Sequence, residues 1–194
     1  MPIQIANHEK QGSLAGSLLV ATPLIQESCF ARSVIYLCAH NEAGAMGVIV
    51  NNSVENVNIG DVFEQLNIRS ESSPSQFPIH FGGPVEPSRG FVLHSSDIIT
   101  EDSVMDANGI ALTASLSMLQ LVADGVGPKK GMLLLGYAGW SAQQLESEIE
   151  GGSWMVIPAT QQLVFDADND LKWSVAVGSL GIDIGHFSTD IGHA

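Results

Sequence analysis

The stretch that most constrains how this chain folds is residues 131–154, which read GMLLLGYAGWSAQQLESEIEGGSW. Its opening run, MLLL, is continuously apolar, which is typical of a strand buried on both faces. Gly136 and Gly139 follow, and glycine permits a sharp turn or a positive φ. Ser141 lies three residues before Gln144, which is the spacing of a capping box at a helix start. The stretch therefore predicts a buried strand, a glycine turn, a short helix and a return strand.

The glycine turn at residues 136–140 has two interpretations, and the sequence leaves both open. In the first, the turn binds a ligand, because the N–H groups at a helix N-terminus attract anions. In the second, the turn serves packing alone. A cap at Ser141 and a hydrophobic staple between Trp140 and Leu145 already account for its neighbours, so the second interpretation is favoured.

The balance of charge disfavours several kinds of partner. The 194 residues include 21 Asp and Glu against 7 Lys and Arg, which gives a formal net charge of −14. Proteins that bind DNA often neutralise about 6–10 phosphates with basic side chains, and the basic residues here are scattered. Direct binding of nucleic acid or of an anionic membrane is therefore disfavoured. No apolar run approaches the roughly 20 residues of a membrane span, so we expect a cytoplasmic protein.

The rest of the chain reads as strands and helices in one domain, residues 1–194. Residues 1–13 are predicted to be an N-terminal arm and residues 69–77 a mobile loop, and the polar residues 95–108 are a long excursion. A hairpin is predicted over residues 34–51. The predicted strands are residues 18–21, 34–39, 46–51, 79–81, 90–94, 110–113, 132–135, 154–157 and 163–165. The predicted helices, besides the one after Ser141, are residues 57–66 with Asn58 as its cap, 115–123 and 172–180.

The usual signatures of catalysis and cofactor binding are absent. The sequence has no GxGxxG, P-loop, GxSxG or HExxH motif. Asp166, Asp168 and Asp170 resemble the start of an EF-hand loop, but the positions that need glycine and glutamate are apolar here, so a turn and a helix cap are predicted. Cys29 and Cys38 have no metal-binding spacing and are expected to be reduced. No catalytic residue, cofactor or metal ion is therefore predicted.

Two of the six histidines are candidates for chemistry. His40 and His94 each end a predicted strand, so the two could approach each other at one rim of the sheet. An acid–base or metal role would then need a third group, such as Glu42, Asp97 or His193. Hydrogen-bonded histidines at strand ends are the commoner outcome. The remaining histidines are His8, His80 and His186.

Three glycine-rich turns adjoin predicted strands and could line one pocket, because glycine lets backbone approach a ligand closely. They are residues 44–47, 82–84 and 136–139. Alternatively, three strand connections merely need unusual φ values, and the two interpretations are equally open. The ligand-binding candidates are His40, Gly44, Gly47, Asn51, Gly82, Gly83, Pro84, His94, Gly136, Tyr137, Gly139 and Trp140.

Ordered sequence blocks carry a family resemblance. They are Ala21-Thr22-Pro23, SVIYL, GAMGVIVN ending at Asn51, GGPV, RGFVLH, GPKK, LGYAGW, QLE and LGID. With these blocks the chain resembles the AlgH/YqgE family of bacterial proteins of unknown function. The resemblance implies an α+β fold, in which a single domain has a bifurcated mixed β-sheet curled into a pseudo-barrel with flanking helices. Family members are often labelled transcriptional regulators, with no agreed catalytic residues and no known cofactor.

Two positions depart from the usual pattern of that family. Glu27-Ser28 stand where Asp-Pro is usual, and Glu27 keeps a carboxylate. Gln143 stands where glycine is usual before QLE. The loss of that glycine weakens the ligand-binding interpretation of the turn.

The favoured hypothesis is a non-enzymatic binding or regulatory protein that recognises a small molecule or a protein partner through the glycine-rich turns. The alternative is a hydrolase-like enzyme that uses His40 and His94 with a carboxylate, which requires both imidazoles within reach of one point. A DNA-binding transcriptional regulator is disfavoured by the net charge of −14. The sequence indicates neither the identity of the partner nor the oligomeric state.

Overall fold

A computed structural model describes residues 12–70 and 77–182. Most of the predicted N-terminal arm and of the predicted loop at residues 69–77, together with His8, His186 and His193, lies outside the described residues. The strands are β1 (Ser17–Ala21), β2 (Val34–Asn41), β3 (Gly44–Ile49), β4 (Ile79–Phe81), β5 (Val85–Ser95), β6 (Ser103–Met105), β7 (Ile110–Thr113), β8 (Gly131–Ser141) and β9 (Trp154–Pro158). The helices are α1 (Ile59–Gln65), α2 (Leu116–Ala123), α3 (Gln144–Glu150) and α4 (Asn169–Gly178), and Gln162–Asp166 is a π-helical turn.

These nine strands form one mixed sheet in the order β6-β7-β5-β8-β3-β2-β1-β9, with β4 paired to β8 outside that path. The β4–β8 pair is parallel and its neighbours are antiparallel. The first half of β8 has β5 on one side and β4 on the other, whereas its second half pairs with β3. The sheet therefore divides along β8, and it curls into a half-barrel. The predicted α+β single domain with a bifurcated, curled sheet is confirmed.

Strand β8 contributes side chains to all three hydrophobic cores. Met132 and Leu134 point into the largest core, whereas Leu133, on the opposite face, packs into the core beneath α1 and α2. Ala138 and Trp140 belong to the third core, beside α3 and β9. Alternation along a strand directs successive side chains to opposite faces, so a single strand can supply several cores.

The predicted glycine turn at residues 136–140 is wrong, because β8 continues through it to Ser141. Gly136 has a φ of 74°, and β5 changes register opposite it, so the glycine accommodates an irregularity inside the strand. The capping box predicted at Ser141 forms only in part: Gln144 Oε1 accepts from the Ser141 backbone N–H at 3.0 Å, but Ser141 is not the N-cap of the helix. The residue before α3 is Gln143, at a φ of 62°, and its side chain makes no cap. Pairing with β3 outweighs the local glycine signal.

Three further boundaries differ from the prediction. Residues 163–165, predicted as a strand, lie in the π-helical turn. The polar excursion contains the short strand β6, and β5 begins before the predicted start of its strand. By contrast, the hairpin over residues 34–51 is confirmed by the β2–β3 pairing. Asn58 caps α1 in a capping box with Asp61, and Asp168 caps α4.

Candidate functional site

His94 is a fully paired structural histidine. It is 0% exposed, and its Nδ1 lies 2.9 Å from the carbonyl oxygen of Ser95, so Nδ1 carries the proton and donates. Its Nε2 then accepts from the Thr113 hydroxyl at 2.8 Å, and that hydroxyl oxygen lies 2.7 Å from Ser103 Oγ. Burial lowers the pKa of His94, opposed by the Ser95 carbonyl and by Asp97. The ring is neutral and has no free position for a ligand.

His40 is paired as well, and it joins three segments of the chain. Its Nδ1 accepts from the Leu14 backbone N–H at 3.0 Å. The proton is therefore on Nε2, which donates to Glu146 Oε1 at 2.8 Å. The Ser13 hydroxyl donates to the His40 carbonyl oxygen. His40 thus fastens residues 13–14 and α3 to the end of β2.

The expectation that His40 and His94 meet at one rim of the sheet is wrong. Through Ala45 on β3, His40 is in register with Trp140, near the end of β8. His94 is in register with Gly131, at the start of β8. The two positions are nine residues apart (140 − 131), which at about 3.3 Å per residue is roughly 30 Å along the strand. The enzyme hypothesis that combined these two imidazoles loses its geometry.

The candidate glycines do gather around β8, but they pack backbone against backbone. A Cβ added at Gly83 would collide with the main chain of Tyr137, and one at Gly82 or Gly136 would meet the other's segment of backbone. A Cβ at Gly44 would meet the carbonyl oxygen of Trp140. Each close approach therefore requires glycine for packing between strands.

The remaining candidates from the sequence also contact the protein itself. Asn51 Oδ1 accepts from the Val34 N–H at 2.8 Å, and its Nδ2 donates to the Arg32 carbonyl oxygen. Tyr137 packs edge-on against Phe91, and the Trp140 indole donates to Glu148. Gly47 lies against β2, whereas Pro84 and Gly139 are exposed. None of the twelve candidates lines the cleft described next.

The described residues form a cleft of about 830 Å³. It lies where the start of β8, the residues before β4 and the N-terminal end of α4 come together. We call it the His80 cleft. Its apolar walls are Phe77, Pro78, Val122, Met132 and Phe165, and its polar lining includes His80, Lys130, Asp168, Asn169 and Lys172. This volume is within the usual range for small-molecule sites, roughly 300–1,000 Å³.

His80 is the one described histidine whose ring is unpaired. It is 2% exposed on β4, and neither Nδ1 nor Nε2 has a hydrogen-bond partner among the residues that the structure describes. Burial lowers its pKa and the charge of Lys172 lowers it further, whereas the Asn169 side chain, which approaches the ring without meeting hydrogen-bond geometry, opposes this shift. A neutral, buried imidazole therefore offers one donor and one acceptor to the cleft. Leaving such groups unsatisfied costs about 1–3 kcal/mol.

Lys172 is buried in the wall of the same cleft. It is 1% exposed, and its Nζ donates to the carbonyl oxygens of Val50 at 2.9 Å and Val164 at 2.7 Å. Burial lowers its pKa to about 8, opposed by the charges of Asp166 and Asp168. No carboxylate of the described residues forms an ion pair with it. A buried ammonium is normally paired, because its desolvation is costly.

The rim of the cleft is charged and open to solvent. Asp166, Asp168 and Asp170 are exposed, and Asp166 accepts from Lys130 Nζ at 2.6 Å. Asp168 Oδ1 accepts from the Asp170 backbone N–H as the cap of α4.

Across residues 12–70 and 77–182, no three His, Cys, Asp or Glu side chains are grouped so that they could hold a metal ion. No described helix is both long and apolar enough to cross a membrane.

Sequence reasoning missed both His80 and Lys172 as site residues. His80 lies inside a short predicted strand between Ile79 and Phe81, where nothing local marks an unpaired ring. Lys172 did leave a signal. It is on the buried face of α4 with Trp173 and Ala176, so a lysine falls in phase with the apolar residues of an amphipathic helix.

The divided, curled sheet defines a single-domain α+β protein, and the described residues form a cleft of small-molecule size at its side. The AlgH-like family model matches residues 18–185, and the chain belongs to that family. A UPF0301 protein of Afipia carboxidovorans is 48% identical over 189 residues, which are 93% of this chain and 90% of that protein. A UPF0301 protein of Rhodospirillum rubrum is 43% identical over 194 residues and the full length of both.

Two solved structures have the same fold. The solution structure of the AlgH protein from Pseudomonas aeruginosa superposes with a TM-score of 0.75 at 34% identity and covers 97% of this chain and 100% of that one. A crystal structure of a protein from Corynebacterium diphtheriae gives a TM-score of 0.71 at 23% identity, covering 94% and 95%. The second likeness concerns the fold alone. None of these names states an activity.

Proposed function

We propose that this chain is a binding protein that takes up a small polar molecule in the His80 cleft. One observation carries the proposal: the imidazole of His80 is 2% exposed and unpaired, yet it lines a cavity of about 830 Å³. Natural proteins satisfy most buried polar groups. A ligand with a hydroxyl, amide or carboxylate group would satisfy both ring nitrogens.

The glycine-rich segments at residues 44–47, 82–84 and 136–139 have a structural role in this proposal. They bring β3, β4 and β5 close to β8 and so hold the sheet that carries His80. The proposed function keeps the hypothesis of a small-molecule binder and moves the site from those glycine-rich segments to the cleft.

A regulatory role would then depend on ligand-dependent contacts with other proteins, because the net charge of −14 opposes contact with the phosphates of nucleic acid. We expect the protein to act in the cytoplasm, where the free thiols of Cys29 and Cys38 stay reduced.

The test compares ligand binding by the wild-type chain and by His80→Leu. A thermal-shift screen against a metabolite library identifies binders, and calorimetry gives their dissociation constants. We expect His80→Leu to bind at least tenfold more weakly. We also expect this variant to be more stable than wild type by about 1 kcal/mol, because leucine removes an unsatisfied buried group at similar volume. A gain in stability together with a loss of binding is typical of a functional residue.

His40→Gln is the matched control, since His40 is paired and does not line the cleft. We expect it to bind the same molecules as wild type. If His80→Leu binds normally while His40→Gln does not, the site is at the other end of β8 and the proposal is wrong. A library without any binder also overturns it.

A further inference from the structure

The floor of the His80 cleft has hydrogen-bond donors that the protein does not use. An ammonium has three N–H donors, and Lys172 Nζ spends two of them on the carbonyl oxygens of Val50 and Val164. One N–H of Lys172 is left over, and the ring of His80 adds one unsatisfied donor and one unsatisfied acceptor in the same cleft. His80 and Lys172 both line this one cleft, and each is almost completely buried. Among the described residues, Lys172 has no counter-ion and the ring of His80 has no hydrogen-bond partner.

The charge of Lys172 decides what kind of acceptor fits that floor. Neutral carbonyls solvate the ammonium but leave it without a counter-ion, and no described carboxylate forms an ion pair with it. A buried cation gains most from a buried anion that also accepts hydrogen bonds. A ligand carboxylate meets both needs. One oxygen would accept from Lys172 and the other from the N–H of His80.

The rim of the cleft is acidic, in contrast to the Lys172 cation, and this restricts the class of ligand further. Three lysines and four carboxylates line the cleft, so a purely anionic ligand would meet a small excess of negative charge. Asp166 is paired with Lys130, whereas Asp168, Asp170 and Glu55 are exposed and form no ion pair with the described residues. Such a rim favours a cationic group on the solvent side of the ligand. The acidic rim alone would define no site; the unpaired His80 below it does.

The geometry points to a small zwitterion of the amino-acid class as the ligand of the His80 cleft, with its carboxylate at Lys172 and His80 and its ammonium towards the acidic rim. This inference rests on the proposed function, since it names the ligand class of the same cleft. The apolar walls of Phe77, Val122 and Phe165 then receive the side chain of the amino acid.

The first experiment measures binding of the twenty free L-amino acids by calorimetry or NMR. For the best apolar binder, matched probes remove one charge at a time. For L-leucine these are 4-methylpentanoate, which lacks the ammonium, and 3-methylbutylamine, which lacks the carboxylate. We expect each to bind at least tenfold more weakly than the amino acid. Equal binding of either probe overturns the zwitterion.

Two variants test the two ends of the site. Lys172→Met removes the floor cation, and we expect at least a tenfold loss for the amino acid but little change for the amine probe. Because that change could impair folding, Asp168→Asn is made in parallel. Asparagine is an equally good helix cap, so the variant keeps α4 and removes only charge. We expect a threefold or greater loss at low salt that shrinks at high salt.

The outcomes separate this inference from the proposed function. If no amino acid binds while another metabolite binds in a His80-dependent manner, the zwitterion is wrong and the binding function stands. If amino acids bind equally well to wild type, His80→Leu and Lys172→Met, the cleft is not their site and the zwitterion is wrong; the proposed function fails as well if no other metabolite binds in a His80-dependent manner. If Asp168→Asn binds amino acids and their deaminated probes as wild type does, the acidic rim has no role in recognition and the inference is overturned.

Discussion

Lys172 Nζ donates a hydrogen bond of 2.9 Å to the carbonyl oxygen of Val50, a residue 122 positions away in the chain. A second bond to Val164 joins the same ammonium to the π-helical turn. One buried cation thus connects the end of β3, the π-helical turn and α4. Burial lowers its pKa to about 8. At neutral pH the desolvation of this ammonium therefore lowers the stability of the fold, and packing alone would not require a charged group at this position.

Lys172→Met should change how stability depends on pH. The pKa of Lys172 is about 8 in the folded chain, against 10.5 for an ordinary lysine, so between these pH values the unfolded state holds the proton more firmly. The wild-type free energy of unfolding should therefore gain up to about 1.4 kcal/mol per pH unit from this group as pH rises from 8 to 10.5. Below pH 8 the cost is fully present.

Urea unfolding of wild type and Lys172→Met at several pH values between 7 and 10 measures this difference. We expect the stability of the variant, relative to wild type, to fall with rising pH because it lacks the titrating group. Its absolute stability also reflects two carbonyl oxygens that lose their donor. Parallel pH curves for the two proteins would contradict the prediction.

Gly83→Ala should destabilise the fold strongly. Gly83 has a φ of 153°, and an added Cβ would collide with the main chain of Tyr137, which cannot move without breaking β8. We expect a loss of about 3 kcal/mol or more. Gly178→Ala is the control, since Gly178 ends α4 and an added Cβ meets nothing within 4 Å. It should be neutral or stabilising by up to about 1 kcal/mol. Melting temperatures that fall equally in both variants would refute the packing role.

Glu148→Ala should release two buried indoles. Glu148 Oε2 accepts from the N–H groups of Trp140 and Trp154, each at 2.8 Å. Removing this acceptor leaves two donors unsatisfied, and we expect a loss of about 2–4 kcal/mol. Tryptophan fluorescence and chemical denaturation report the change. Glu150→Ala, at an exposed position of the same helix, should stay within about 0.5 kcal/mol of wild type; an equal loss there would contradict the role of the two indole hydrogen bonds.

The Cys38 thiol should react slowly in the native protein. Burial raises the pKa of the Cys38 thiol, and the nearby Asp106 raises it further. Because the thiolate is the nucleophile, Cys38 should resist alkylation in the native protein. Iodoacetamide labelling of Cys29→Ser followed by mass spectrometry should show slow modification at pH 8 and complete modification in denaturant. Rapid labelling of native Cys29→Ser would be inconsistent with this burial.

Local signals in the sequence predicted the elements whose causes are local. Asn58 with Asp61 marked the start of α1, and the apolar runs around residues 34–51 marked the β2–β3 hairpin. The path of β8 through Gly136 could not be predicted this way, because it depends on pairing with strands distant in sequence. The apolar run at residues 163–165 is too short to distinguish a strand from a helical turn.

The candidate site was harder still, because it depends on which polar groups lack partners. His94 and His80 both lie in strands, and their residue types are identical. One is paired with Thr113 and Ser95, whereas the other is paired with nothing described. Hydrogen bonding between residues far apart in the chain decides that difference, and no spacing rule contains it. Of these residues, only Lys172 could have been identified from the sequence, because it falls in phase with the apolar residues of α4.

Because β8 supplies residues to each described core, no part of this domain has a hydrophobic core that is independent of β8. Disruption of either half of that strand should destabilise the whole domain. We therefore expect a single cooperative melting transition, with the same midpoint by fluorescence and by backbone circular dichroism. Fragments made by cutting the chain on either side of residues 131–141 should stay unfolded when separate.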